Sequence, residues 1–263
     1  MSFTPPIADQ LRLVLDQRMT TDICNKDLIE KRWQLGVISK DRSGIKTLYE
    51  PGVEVEVQMN PIPMAKDECT RGVAALVLAA GYSRRFGSDK RKVILSDGAT
   101  LLNASLTPLH ASFEEIWLVL RPDDAPVDMR LMGGVRVIQD SATTQGMGHS
   151  ISVGTRELIQ RSKASSVAIC LADMPHIKPR TLLTLATHAS PSRIVVPRYA
   201  QQRGHPVLFG RNFWPYLCDL NGDRGAKSVM DSFPDAVDLL DVDDPGVLLD
   251  VDTVADLSRD SSK

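Results

Sequence analysis

Cysteine, aromatic side chains and net charge are all scarce in this chain. Its 263 residues hold four cysteines, 5% aromatic residues and a formal charge of −2. Cys24, Cys69, Cys170 and Cys218 include no C-x-x-C pair, which excludes the common zinc and disulfide frameworks and fits reduced thiols in a cytoplasmic setting. With 31 basic residues against 33 acidic ones there is no polyanion footprint, so no nucleic-acid partner is expected. Long apolar runs are missing too. The longest, at 73–80 and 167–172, fall far short of the ~20 residues that span a bilayer, so no membrane partner is expected either. The opening Met1-Ser2-Phe3-Thr4-Pro5-Pro6 has neither a basic start nor an apolar stretch, so no secretory leader is expected. Two frequent nucleotide signatures are absent as well. No G-K-[ST] follows the glycines at 81 and 87, and their spacing does not match G-x-G-x-x-G.

What remains is the composition of a folded protein, 43% hydrophobic and 24% charged, which argues against extensive disorder. Residues 1–57 read as a separate α+β appendage. Helical patterns at 8–19 and 27–35 precede two strand-like runs, 44–49 and 53–59, joined at Glu50-Pro51-Gly52. Pro-Gly is turn chemistry, and the strict alternation of 53–57 predicts a hairpin between those two runs. This segment carries no motif for chemistry and is expected to serve interaction or oligomerisation. A proline-bearing, charged linker follows at 58–72.

From residue 73 the pattern changes. Continuous apolar strand candidates recur at 73–79, 116–120, 135–139, 167–171 and 194–196, with amphipathic helix candidates at 100–109, 150–160 and 179–188 between them. Unbroken apolar strands separated by helices predict a mostly parallel sheet covered on both faces, a three-layer α/β domain over 73–263.

Five of the nine residues from Arg84 to Lys92 are basic, and they follow directly on an apolar strand and a glycine turn. The string runs Leu78-Ala79-Ala80-Gly81-Tyr82-Ser83-Arg84-Arg85-Phe86-Gly87-Ser88-Asp89-Lys90. Small residues at a strand's carboxyl end let backbone N–H groups ring an anion. Arg85 and Lys90 would add charge against a triphosphate. So many cations side by side would repel one another without an anion among them.

Two acidic strings complement this one. Val167-Ala168-Ile169-Cys170-Leu171-Ala172-Asp173-Met174-Pro175 delivers a carboxylate from a strand end, suited to Mg²⁺, which takes one or two carboxylates plus substrate phosphates. Asp173 could equally cap the helix that begins near Pro179. In Leu248-Leu249-Asp250-Val251-Asp252-Thr253, alternate aspartates on a strand would face one side and point at a common cation. Asp252 is favoured as the ligand, with helix capping by Asp252 or Thr253 as the competing role. Gln145-Gly146-Met147-Gly148-His149-Ser150 places glycines before a helix, with Ser150 as the expected N-cap. Arg203-Gly204-His205-Pro206 and Gly222-Asp223-Arg224-Gly225-Ala226-Lys227 are turns where His205 serves as a loop hydrogen-bonder or a catalyst, and where Asp223 caps a helix or meets a ligand.

The 78–90 string resembles the signature of the molybdenum cofactor nucleotidyltransferases, roughly L-A-[AG]-G-x-S-x-R-[FM]-G-x-x-K. Ala80 and Phe86 are similar to the cytidylyltransferase branch, whereas the guanylyl branch more often has Gly-Gly and Met. The resemblance extends from residue 73 to the end of the chain and implies a Rossmann-like nucleotidyltransferase domain. It also implies Mg²⁺-dependent transfer of a nucleotidyl group, CMP from CTP in that branch, to the phosphate of molybdopterin cofactor. By resemblance, Asp173 and Asp252 hold the metal, and Arg85, Lys90 and Asp173 carry catalysis. The nucleotide meets Ala79, Ala80, Gly81, Ser83, Arg85, Lys90, Gly146, Gly148 and Ser150. The acceptor meets Gly204, His205, Pro206, Asp223 and Arg224. GTP or ATP, another phosphate acceptor, or a non-catalytic carrier that hands the pterin to a molybdoenzyme partner are the alternatives. One departure stands out: Arg91 to Thr100 lacks the G-x-P turn that family members often carry there.

Overall fold

The computed structural model describes residues 37–41, 44–48, 72–82, 86–253 and 256. The chain divides into two compact units, Met1–Asn60 and Pro61–Lys263. In the first, β1 (Val37–Asp41) pairs antiparallel with β2 (Gly44–Leu48), with Asp41 opposite Gly44. The run at 44–49 is thus a strand, and it pairs with a strand that precedes it. Only Arg42 and Ser43 separate the two strands, and a two-residue connection closes a hairpin at the least entropic cost. The alternating run 53–59 and the helical patterns at 8–19 and 27–35 lie outside the described residues.

The second unit is built on β3 (Val73–Leu78), β4 (Glu115–Leu120), β5 (Val135–Gln139), β6 (Ser166–Leu171), β7 (Ile194–Tyr199), β9 (Val207–Gly210) and β10 (Val237–Asp241), with a short β8 (Gln202–Arg203) against β7. Strand order is β10-β7-β9-β6-β3-β4-β5. All pairs along it are parallel except those of β9, which runs antiparallel to both β6 and β7. The apolar strand candidates at 73–79, 116–120, 135–139, 167–171 and 194–196 are all present as strands.

The sequence explains why both faces are covered. Val73, Ala75 and Val77 of β3 pack into one buried cluster with Leu102 and Leu106 of α1 (Leu101–His110) and Leu182 and Leu185 of α3 (Pro179–Thr187). Ala74 and Leu76 point the other way, into a cluster with Ile151 and Leu158 of α2 (Met147–Arg161) and Trp214 of α4 (Trp214–Cys218). Successive strand residues face opposite sides, so an unbroken apolar run serves two layers at once. A further short helix, α5 (Lys227–Ser232), adds Val229 to the second layer. The α2 helix sits close on the sheet, since a Cβ added at Gly154 would lie 2.6 Å from Leu76 Cδ1.

The chain runs outward from β3 through β4 to β5, then returns to lay β6 on the other side of β3. This reversal of direction makes a crevice beyond the carboxyl ends of β3 and β6. Leu78 pairs with Leu171 there, so the loops carrying Ala79 and Asp173 leave the sheet side by side. Gly210, at the end of β9, is wedged against backbone: a Cβ would sit 2.2 Å from Ser190 O and 2.3 Å from Pro191 O. Gly210→Ala is expected to cost about 1–3 kcal/mol from overpacking that no rotamer change relieves, read from the denaturant midpoint. An unchanged midpoint would refute this close approach.

Candidate active site

The crevice holds a cleft of about 620 Å³ lined by residues 78–82, Lys90, Arg91, Ala172, Asp173, Asp250 and Asp252. Residues 143–147, Ser150 and Asp223 complete the wall. Of the nucleotide-side residues singled out from sequence, Ala79, Ala80, Gly81, Lys90, Gly146 and Ser150 therefore share one cavity. Ser83 and Arg85 fall outside the described residues.

Lys90 is the hub. It opens a 3-10 turn, Lys90–Lys92, whose cap is Asp89. Its ammonium donates to Asp173 Oδ2 at 2.6 Å, to Asp252 Oδ1 at 3.2 Å and to the Val251 carbonyl at 3.1 Å. The partners lie 83, 161 and 162 residues away in sequence. Burial works against the ammonium, but the hydrogen bonds and charges of Asp173 and Asp252 more than offset it and raise the Lys90 pKa. The 250–252 segment is not a strand, contrary to expectation. It is held by one backbone bond, Val251 N to Asp173 O at 2.9 Å, so strand alternation does not set the direction of its aspartates. Asp250 and Asp252 both reach the cleft, and Asp252 is the one paired with Lys90.

Capping roles fall elsewhere. The α3 N-terminus is served by Asp244, which accepts from Lys178 N at 2.9 Å and from Thr181 Oγ1 at 2.7 Å, leaving Asp173 to the cleft. Asp256 accepts from Thr253 N at 2.8 Å, while Asp252 Oδ1 accepts from Lys90. Ser150 is not an N-cap: α2 begins at Met147 behind Gly146, whose φ of 121° suits glycine. Ser150 is instead a buried residue of the first turn.

The acceptor-side strings are only partly on the cleft. Asp223 lines it beside Gly146. Gly148 does not; a Cβ there would meet Arg224 O and Asn221 O at 2.7 Å, so its smallness admits the 221–224 turn against α2. His149 Nδ1 accepts from Gly222 N at 2.9 Å and fastens the same turn. Arg224 is exposed and off the cleft lining. A Cβ added at Gly204 would lie 2.5 Å from Val247 O, and His205 N donates to that oxygen at 2.8 Å. Gly204, His205 and Pro206 also lie off the cleft lining. His205 is nonetheless near enough to Asp173 and Asp250 for their charges to act on its ring, although burial dominates and lowers its pKa. Its Nδ1 is buried without a hydrogen-bond partner.

Sequence reasoning missed the salt-bridge cluster behind the loop. Arg91 is 3% exposed and bonds both Asp89 and Asp124 through paired contacts. Arg121 donates to the Gly81 carbonyl and lies 4.5 Å from the centre of the Tyr82 ring. The motif cations are therefore matched by protein carboxylates, and the expectation that they need an anion to coexist does not hold for Lys90, Arg91 or Lys92. Asp124, 33 residues from Arg91, is followed by no recognisable motif. Its only sequence signal is the Asp123-Asp124 pair just after an apolar strand.

Whether the site suits a divalent ion can be judged from its donors. Asp173 Oδ1 is buried and unpartnered, and a cationic ammonium already sits between two carboxylates. Both features fit a hard cation held by oxygen. Among the described residues, no group of three or more His, Cys, Asp or Glu is placed to hold a metal, so substrate oxygens would have to complete the shell.

With this geometry established, residues 75–237 match the MobA-like NTP transferase domain. The chain belongs to that family. Membership makes it a nucleotidyltransferase acting on a nucleotide. It is 30% identical over 188 residues to the purine catabolism protein PucB of Bacillus subtilis (67% of this chain, 89% of that protein). It is 27% identical over 197 residues to a nicotine blue oxidoreductase of Paenarthrobacter nicotinovorans (71% and 95%). It is 29% identical over 119 residues to a probable molybdenum cofactor guanylyltransferase of Geobacillus sp. WCH70 (45% and 58%). Among solved structures, Rv0371c of Mycobacterium tuberculosis in complex with manganese superposes with a TM-score of 0.59 at 30% identity (72% of this chain, 97% of that one). Among the described residues no helix is long and apolar enough to cross a membrane.

Burial opposes ionisation of Asp89 and Asp124, yet hydrogen bonds from Arg91 and the charges of Arg91 and Arg121 hold both carboxyls below their ordinary value of 3.8. Such a group adds stability that is complete above its unfolded pKa and lost as pH falls through the folded one. The stability difference between wild type and Arg91→Met should be flat between about pH 8 and pH 5 and shrink below about pH 4. A difference that changes near neutrality in pH-dependent denaturation would contradict this assignment.

Proposed function

We propose that the chain transfers CMP from CTP, with Mg²⁺, to the terminal phosphate of molybdopterin cofactor and releases pyrophosphate. The observation that carries this reading is Lys90 lodged between Asp173 and Asp252 in a cleft that the Ala79–Gly81 backbone also lines. Residues 79–82 would cradle the triphosphate, with Ser83 and Arg85 assigned to it by family resemblance. Asp173 and Asp252 would hold the ion, which supplies charge withdrawal from phosphoryl oxygens when bound. Support for CTP is the Ala80-Gly81 pair and Phe86, where the guanylyl pattern has Gly-Gly and Met. Support for a pterin phosphate acceptor is the 204–206 and 222–227 strings, which match that branch in order, together with the unpartnered His205 Nδ1 beside the acidic wall.

The reaction asks little covalent chemistry of the protein. An acceptor phosphate oxygen forms a bond to the α-phosphorus in line as the bond to the bridging oxygen of the β-phosphate breaks, and that electron pair leaves with pyrophosphate. A phosphate dianion is already nucleophilic, so no general base is required. Catalysis then consists of positioning and of neutralising charge on the leaving group. Lys90 stays protonated well above neutral pH, given its raised pKa, and supplies a full positive charge for that purpose.

Incubation with Mg²⁺, molybdopterin cofactor and each nucleoside triphosphate in turn should yield the cytosine dinucleotide and pyrophosphate with CTP. A guanine or adenine dinucleotide would replace the donor assignment, and pterin binding without nucleotide binding would replace catalysis by carriage. Asp173→Ala should lower kcat by roughly 10²–10³-fold, on the scale of removing one electrostatic stabiliser. Its fold should persist, because Lys90 keeps Asp252 and the Val251 carbonyl. Near-normal turnover in that variant would discard the metal assignment.

A further inference from the structure

We propose that Arg91 is a positioning residue for nucleotide binding: its guanidinium, clamped between Asp89 and Asp124, fixes the 79–81 backbone and aims Lys90 into the cleft. The inference rests on the nucleotidyltransferase reading and adds to it a residue that touches no substrate.

Arg91 borders the cleft, and an arginine there would ordinarily be assigned to phosphate. Its hydrogen bonds forbid that. A guanidinium carries five N–H donors, and all are committed. Nε donates to Asp89 Oδ1 at 2.8 Å. Nη1 donates to Ala79 O at 2.7 Å and to Asp124 Oδ2 at 2.5 Å. Nη2 donates to Asp89 Oδ2 at 2.6 Å and to Asp124 Oδ1 at 2.7 Å. Engaging a phosphate would break one of these buried bonds, so this cation acts on the protein.

Two of its contacts reach the nucleotide machinery. Asp89 and Arg91 flank Lys90, and Asp89 also accepts from Arg91 N at 3.2 Å. Both neighbours of Lys90 are thereby held by one ion pair, which sets the direction of the lysine toward Asp173 and Asp252. The bond to Ala79 O turns that carbonyl toward Arg91. In a trans peptide the following N–H points the opposite way, so the Ala80 N–H faces away from the guanidinium. Arg121 does the same two residues on. It donates to Gly81 O, its own N–H donates to Asp124 Oδ2 at 2.9 Å, and its guanidinium lies 3.7 Å from Asp89. Asp124 thus ties both arginines, and the β4 end carries the support for a loop that leaves β3. Two arginines and two aspartates balance in charge, so the cluster orients its neighbours without adding a net positive field of its own.

The test is a double-mutant cycle between Arg91 and Lys90. The dissociation constant of Mg·CTP, or of whichever nucleotide the wild type binds, is measured calorimetrically for wild type, Arg91→Met, Lys90→Met and the double variant, with thermal midpoints alongside. Arg91→Met should weaken nucleotide binding, with kcat/KM falling by about a hundredfold as expected for a misplaced catalytic group. In the Lys90→Met background the same change should cost far less, because the group it positions is gone. Arg91→Lys should restore little, since a point ammonium cannot serve five oxygens arranged for a planar fork. Asp124→Asn, nearly isosteric, should show the same coupling to Lys90 and decides the matter if Arg91→Met does not fold. Equal costs in both Lys90 backgrounds, or full rescue by Arg91→Lys, would overturn the positioning role while leaving the nucleotidyltransferase reading intact. Absence of nucleotide binding by the wild type would instead bring down that reading, and this inference with it.

Discussion

Two carboxylates facing one ammonium organise this molecule's crevice. Asp173 leaves the end of β6, Asp252 comes from an irregular segment near the end of the described chain, and Lys90 reaches both from a turn after β3. Two aspartates brought this close repel unless a cation lies between them. Lys90 meets that need within the protein, and the same arrangement leaves the other Asp173 oxygen buried and unpartnered. The site is therefore preorganised around positive charge. A metal–triphosphate complex would add cation and anion together, which leaves the lysine free to shift from carboxylate to phosphate without leaving either charge unmatched.

Behind the crevice, charge does a different job. Arg91 and Arg121 are spent on carbonyls and carboxylates, and their value to function lies in the backbone they hold. A loop of small residues has no side chains with which to fix itself, and Gly81 has nothing within 4 Å of where a Cβ would be. Its shape has to come from neighbours. The guanidinium forks supply it, Arg91 from the turn 12 residues on and Arg121 from the end of the neighbouring strand β4.

The relatives place these features in a family whose members bear different names: a purine catabolism protein, a nicotine blue oxidoreductase and a probable molybdenum cofactor guanylyltransferase. The cleft accounts for that breadth. Its phosphate-facing side is mostly backbone, one lysine and two aspartates, which would suit any nucleoside triphosphate. Residues 143–147 and Asp223 line the rest of it, where small changes in side chain alter fit without touching the charge arrangement.

Much of the α/β unit was legible because continuous apolar runs are read twice, once by each helical layer, and such runs stand out in any sequence. The motif residues Ala79–Gly81, Lys90, Asp173 and Asp252 were legible because their chemistry is local to short strings. Less visible were features that depend on who sits next to whom. Ser150 looked like a helix cap, but Gly146 could adopt the positive φ that starts α2 earlier. Residues 250–252 looked like a strand, but among the described residues their backbone pairs with a neighbour only through the bond from Val251 N to Asp173 O. The sequence by itself determined that a mostly parallel sheet would form, with a cationic loop after its first strand and a carboxylate delivered from the end of another. Tertiary structure alone decided that Lys90 answers to the aspartates and Arg91 to the loop, because two cations adjacent in the chain are sorted only by which carboxylates the fold brings within hydrogen-bond reach of each.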